Sequence, residues 1–215
     1  MRLRHKPWAD DFLRENDHIV VQNPFEQKGK WQQEVFKNNH PLHIEIGTGK
    51  GQFIAGMSQQ QQDINFIGIE QAKSIIVSAV QKAKDADSTN LRLINENAKD
   101  LRDLFSENEV DKIYLNFSDP WPKTRHEKRR LTYHTFLEQY KGILKDDGEI
   151  ILKTDNRVFF EYSLVSFSKY GLILDEVLLD LHSYQDPSNV ETEYEEKFSQ
   201  KGHPIYRCKA YFPES

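Results

Sequence analysis

From Leu42 onward, apolar and polar positions fall into a regular order. Leu42, Ile44 and Ile46 interleave with His43, Glu45 and Gly47, a two-residue period that predicts a short strand ending at a turn with Gly47, Gly49 and Gly51 at alternate positions. The period then lengthens: Phe53, Ile54 and Met57 make one helix face, which the polar tract at residues 58–63 is expected to break. Residues 65–70 form an apolar run ending on Glu70. Ile75, Ile76, Ala79, Val80 and Ala83 recur at helical spacing, and residues 91–95 read as a third strand. A short helix over residues 99–105 leads to a strand at 110–117. Tyr133, Phe136, Leu137, Tyr140 and Leu144 mark the next helix, and residues 149–155 the next strand. A last helix carries Val158, Tyr162 and Val165. Beyond Gly171, strand-like segments at 172–181 and 205–212 are joined by a glutamate-rich loop.

Strands alternating with helical segments imply βαβ units, hence a mainly parallel sheet with helices on both faces. The final two strands lack an intervening helix, so the last should run against its neighbours. The expected fold is α/β: a doubly wound, mostly parallel, seven-stranded sheet with one antiparallel strand near the edge. That layout is similar to the Rossmann-like class I S-adenosylmethionine-dependent methyltransferases. Residues 1–41 read as an arm packed on a main domain of residues 42–215. The arm's scattered anchors are Trp8, Phe12, Phe25, Trp31, Val35 and Phe36, and Asn23-Pro24 is a turn before a short helix. Arg2, Arg4, His5 and Lys6 either meet phosphate or form a solvated terminus.

Composition narrows the classes. The chain has 215 residues, enough for one large domain with a proper core, and a formal charge of −5 that argues mildly against a nucleic-acid partner. Cys208 is the single cysteine, expected as a small core residue in a reducing cytoplasm. Neither a signal-peptide pattern nor a membrane-spanning apolar run is evident, so a cytoplasmic protein with no membrane partner is expected. The eight histidines lack ligand spacing, so no metal is expected; His43 should be a packed side chain.

The glycine turn suits a nucleotide or nucleoside. A dinucleotide fingerprint would be G-x-G-x-x-G, but Gly51 comes one residue early, which counts against NAD. Glu45, at the ligand end of the first strand, would repel pyrophosphate yet suits the cationic tail and sulfonium of S-adenosylmethionine; otherwise it is a solvated or lysine-paired carboxylate. Glu70, ending the second strand, can accept from both ribose hydroxyls. Asn97 can serve the adenine, cap a helix beginning at Ala98, or do both.

Asp119-Pro120-Trp121-Pro122 follows the fourth strand, at the mouth of the same crevice, and Trp121 offers a flat surface for a base. Lys123, Arg125, Lys128, Arg129 and Arg130 come next, with His126 among them and only Glu127 opposing. Such a run is ordinarily a solvated face, but joined to a proline-aromatic loop at a cofactor crevice it fits a nucleic-acid backbone better.

The IEIGTGKGQF turn, FSDPWPK followed by HEKRRL, LKTDN and the T-x-Y-E tetrad at residues 192–195 together resemble the bacterial tRNA (guanine-N7-)-methyltransferase family, over Trp31 to the end. The resemblance implies methylation of a variable-loop guanosine in tRNA, with S-adenosylmethionine as cofactor. It implies cofactor contacts from Glu45, Gly47, Gly49, Glu70, Asn97 and Asp119. Lys123, Asp155, Thr192, Glu193, Tyr194 and Glu195 would line the substrate pocket, and Arg125, His126, Glu127, Lys128, Arg129 and Arg130 would lie on RNA. Glu193 occupies the variable place of the tetrad. Guanine N7 carries a lone pair and no proton, so Asp119 would act by orienting and by stabilising charge. Asp155 and Glu195 would accept from the guanine edge. Apart from the resemblance, Asp155 reads as the cap of a helix starting at Asn156, and residues 192–195 as a solvated acidic loop. Monomer and homodimer are both open.

Overall fold

The computed structural model describes residues 6–97 and 99–213, so Arg2, Arg4 and His5 lie outside the described residues. Among the described residues seven strands form one sheet: β1 (Leu42–Ile46), β2 (Asn65–Ile69), β3 (Leu91–Ile94), β4 (Val110–Asn116), β5 (Leu144–Thr154), β6 (Ile173–Leu178) and β7 (Tyr206–Tyr211). Their spatial order is β3-β2-β1-β4-β5-β7-β6. Pairings from β3 across to β5 are parallel, and β7 runs antiparallel to both β5 and β6. The last strand is reversed as expected, but the expectation that no helix precedes it is corrected: a short helix, Glu193–Ser199, lies between β6 and β7, and β7 still pairs antiparallel with both neighbours. The order changes direction between β1 and β4, and such a switch point opens a crevice beyond the carboxyl ends of the strands.

The central strands β1 and β2 are buried along their whole length because helices cover both faces. The helices are α1 (Ala9–Glu15), α2 (Gln52–Gln60), α3 (Lys73–Asp85), α4 (His134–Ile143), α5 (Arg157–Tyr170) and α6 (Glu193–Ser199). One core gathers Ile44, Ile67, Ile113, Leu137, Tyr140 and Phe160, and another gathers Ile54, Phe66, Ile76, Val80 and Leu91. His43 is buried beside the Tyr114 hydroxyl, 3.2 Å away, and Cys208 is buried in β7. Among residues 6–41, Trp31 is fully buried and its Nε1 donates to the Leu104 carbonyl at 2.8 Å. Val20 bridges Leu93 in parallel and covers the free edge of β3.

Several local expectations are corrected. Helix α2 continues through Ser58, Gln59 and Gln60, since glutamine is a good helix former and the Ser58 hydroxyl is satisfied by the Ala55 carbonyl. In α5 the buried side chains are Phe159, Phe160, Ser163 and Phe167, while Val158 and Val165 face out: the larger phenylalanine surfaces win the core. The helix expected over residues 99–105 is a single 3₁₀ turn, Leu101–Asp103, because Gln139 takes the Leu101 N–H and the Lys99 carbonyl. No helix among the described residues is long and apolar enough to cross a membrane.

Candidate functional site

A cavity of about 970 Å³ opens at the switch point, lined by the ends of four strands. Ile46 and Gly47 come from β1, Ile69 and Glu70 from β2, Glu96 and Asn97 from beyond β3, and Asn116 to Asp119 from β4. Leu131, Thr135, Phe136 and Gln139 close one side, and Trp121, Lys128 and Arg129 stand at the mouth. That volume is ample for a nucleoside cofactor.

The glycine turn shapes its floor. Gly47, Gly49 and Gly51 all have positive φ, at 79°, 59° and 83°. Gly47 and Thr48 donate their N–H groups to the Ile69 carbonyl, tying the turn to β2. At Gly51 a Cβ would meet the Ala79 Cβ at 2.6 Å, so this glycine lets α2 lie against α3. The Glu70 carboxylate accepts from Gly49 N at 3.1 Å and Ala72 N at 2.8 Å, which fixes its position on the wall.

Glu45 lies behind this wall, not on it. It is only 1 % exposed; one oxygen accepts from the Thr48 hydroxyl and the other from Asn116 Nδ2 at 2.8 Å. Burial pushes its carboxyl up to about 7, against the opposing pull of those hydrogen bonds and of Lys153. Asn116 is itself buried, and its Oδ1 has no hydrogen-bond partner. Sequence reasoning missed Asn116, although an amide closing an otherwise apolar strand end is a readable signal.

Asn97 is on the cavity wall; Ala98, where a helix was expected to begin, lies outside the described residues, and among those described Asp100 caps the following 3₁₀ turn, accepting from Arg102 N. Asp119 is exposed at the rim. The backbone turns sharply here, with Phe117 and Trp121 at φ of 49° and 42°. Arg130 holds that turn, donating to the Pro120 and Trp121 carbonyls at 3.0 to 3.3 Å, while its guanidinium lies 4.1 Å from the Tyr162 ring centroid. Arg129 covers the Trp121 ring at 4.8 Å, and His126 meets that ring edge-on. Lys123 and Arg125 are exposed, and Glu127 is half-buried.

Lys123, Asp155 and residues 192–195 are not on the cavity wall. Asn156, not Asp155, caps α5: its side chain accepts from Phe159 N at 2.9 Å, and the helix begins at Arg157. Residues 192–195 are not a solvated loop but the start of α6, where the Thr192 hydroxyl accepts from Glu195 N. Glu193 pairs with Lys82 at 2.5 Å. Glu195 is fully buried and pairs with buried Lys153 at 2.6 Å, whose other two N–H groups reach Asn189 and the Val190 carbonyl. Burial lowers the Lys153 ammonium below the usual lysine range, against the raising effect of Glu195. Tyr194 links the tetrad to the cavity, its ring 5.5 Å from that of Phe117.

A sequence-family model described as a putative methyltransferase matches residues 39–208. A protein of Oceanobacillus iheyensis named tRNA (guanine-N(7)-)-methyltransferase is 63% identical over 99% of this chain and 99% of its own. One of the same name from Bacillus subtilis is 60% identical over 97% and 98%. Among solved structures, a 16S rRNA methyltransferase, KamB, superposes with a TM-score of 0.60 at 10% identity, covering 80% of this chain and 88% of that one.

Proposed function

The chain belongs to the tRNA (guanine-N(7)-)-methyltransferase family, and from that premise we propose that it transfers a methyl group from S-adenosylmethionine to N7 of a variable-loop guanosine in tRNA. The observation that carries the reading is the convergence of Gly47, Glu70, Asn97 and Asp119 on one crevice whose mouth holds Lys128 and Arg129. The residues present fit the cofactor. Glu70, immobilised by two backbone N–H groups, keeps lone pairs for ribose hydroxyls, and Asn97 offers both a donor and an acceptor to an adenine edge. Asn116 Oδ1 adds a buried acceptor without a partner.

When bound, S-adenosylmethionine supplies an electrophilic methyl group on a cationic sulfonium. Guanine N7 has an in-plane lone pair and no proton to lose, so the protein's task is positioning rather than base catalysis. Asp119, at the rim, orients the base and stabilises the positive charge that reaches the purine. Arg125, Lys128 and Arg129 hold RNA phosphates, while Arg130 keeps the Trp121 turn in shape through its backbone carbonyls. The α6 turn at residues 192–195 supports the far side of the substrate pocket through Tyr194 and Phe117.

Incubation with methyl-labelled S-adenosylmethionine and unmodified tRNA, followed by digestion to nucleosides, tests the proposal. Label is expected in N7-methylguanosine. Label in a base methylated on an exocyclic amine, or none at all, rejects it.

A further inference from the structure

Helix α6 treats its two signs of charge differently. Its carboxylates are engaged by neighbouring elements: Glu193 by Lys82 of α3, Glu195 by Lys153 of β5, and Glu196 by Gln52 Nε2 of α2 at 3.4 Å. Its lysine end is left open. Lys197, in the last turn, and Lys201, just beyond it, are exposed, and among the described residues neither makes an ion pair. Both ammonium groups lie instead over one ring, Phe198, at 5.7 and 5.6 Å from its centroid.

That ring belongs to a row. Phe198 stacks on Tyr194, with centroids 4.5 Å apart and planes at 24°, and His203 meets it edge-on at 5.5 Å. Tyr194 is 48% exposed and lies 5.5 Å from Phe117, which is on the cavity wall. A run of aromatic rings therefore leads out of the crevice and ends at two cations with no counter-charge. Flat rings interleaved with cations suit unpaired bases and the phosphates that link them. A duplex fits poorly, because its base faces are already stacked on each other. Continuity with the crevice selects the occupant: a strand whose guanosine enters the cavity carries its next nucleotides onto whatever adjoins the mouth.

We propose that Lys197, Phe198 and Lys201 form a second RNA-binding ledge, which stacks an unpaired base beside the target guanosine and holds the phosphates flanking it. The ledge lies beyond residues 192–195 and apart from the basic segment at 125–130. This deepens the tRNA reading and rests on it.

Binding of unmodified tRNA to the full chain across a salt series tests this. Lys197→Gln/Lys201→Gln is expected to flatten the slope of log Kd against log salt by about 1.4, the single-strand value for two phosphates. Lys84→Gln/Lys169→Gln removes the same charge near the C-terminal ends of α3 and α5, at the end of the sheet away from the crevice, and should leave the slope within about 0.3 of the parent. Stacking is read separately. A tRNA with abasic sites on both sides of the target guanosine should bind the parent about 5- to 100-fold more weakly than intact tRNA at fixed salt. Phe198→Leu should lose a similar factor on intact tRNA and less than about twofold more on the abasic one, since both changes remove one contact. An unchanged slope in Lys197→Gln/Lys201→Gln, an equal flattening in the Lys84 and Lys169 control, or losses from Phe198→Leu and the abasic sites that add in full would each overturn the ledge and leave the methyltransferase reading standing. A parent that neither binds tRNA nor labels N7-methylguanosine overturns both.

Discussion

Glu45 and His43 are two residues apart on β1, and burial shifts them in opposite senses. Glu45 rises from its ordinary 4.5 to about 7, so between those values the folded chain holds a proton that the unfolded chain has released. Its contribution therefore favours the fold at low pH and is lost as pH rises from about 4.5 to about 7. His43 falls from 6.5 to about 3, chiefly by burial and then by Lys112 and Lys145, so its contribution is lost as pH falls through that window. The two oppose each other between pH 4.5 and 6.5, and only a difference measurement separates them. Urea unfolding of the ligand-free parent and of Glu45→Gln at pH 5 and pH 7.5 is expected to show the parent losing about 2–3 kcal/mol more than the variant over that rise. A constant gap between the two curves would remove Glu45 as the cause. At this scale the sequence was informative where a side chain ends a strand: Glu70, Asn97 and Asp119 all lie on the cavity wall. It could not show that Glu45 is sealed behind Asn116, because period-two alternation says which face a residue takes, not how deep it lies.

Element boundaries were set by hydrogen bonds that a local pattern does not rank. Asp155 and Asn156 are both good helix caps by residue type, yet Asn156 takes the Phe159 N–H while its own N–H is held by the Thr154 hydroxyl. Asn156→Ala is therefore expected to cost about 1 kcal/mol in denaturant unfolding, and Asp155→Ala less than about 0.5. The reverse order would return the cap to Asp155. Strands were legible because alternation and apolar runs survive short segments, as were α3 and α4 with their strong stripes. Helix α6 was not, since residues 191–196, four glutamates with Thr192 and Tyr194, carry no apolar stripe. What holds it is tertiary: buried Lys153 of β5 against one oxygen of Glu195, with Asn189 on the other. Lys153→Met strands that carboxylate without its counter-charge, and a loss of about 3–5 kcal/mol is expected by urea titration at pH 7.5. A loss under about 1 kcal/mol would mean that water reaches Glu195 and that α6 is not anchored there.

Across the whole molecule the order of elements was enough to give the parallel part of the doubly wound sheet, because crossover helices dictate strand direction; the reversal of the last strand was foreseen although α6 stands before it. The charge distribution depends on how the basic segment folds. A formal charge of −5 argues against an RNA partner, but the sum hides how the basic segment divides. Arg130 is half-buried and engaged with two backbone carbonyls and the Tyr162 ring; Arg125, Lys128 and Arg129 are all exposed, but Arg129 is held over Trp121. Phosphate neutralisation should therefore rest first on Arg125 and Lys128, and each contact released should make log Kd less steep in log salt by about 0.7–0.9. Replacing both with glutamine is expected to flatten the slope for tRNA by about 1.5 with little effect on S-adenosylhomocysteine affinity. Arg130→Gln should do the opposite: it frees the Trp121 turn beside Asp119, so turnover falls at saturating tRNA while the salt slope stays within about 0.5 of the parent. Identical slopes for the parent and the double variant would show that RNA approaches by another face, and a slope change in Arg130→Gln as large as in the double variant would put that guanidinium on phosphate after all.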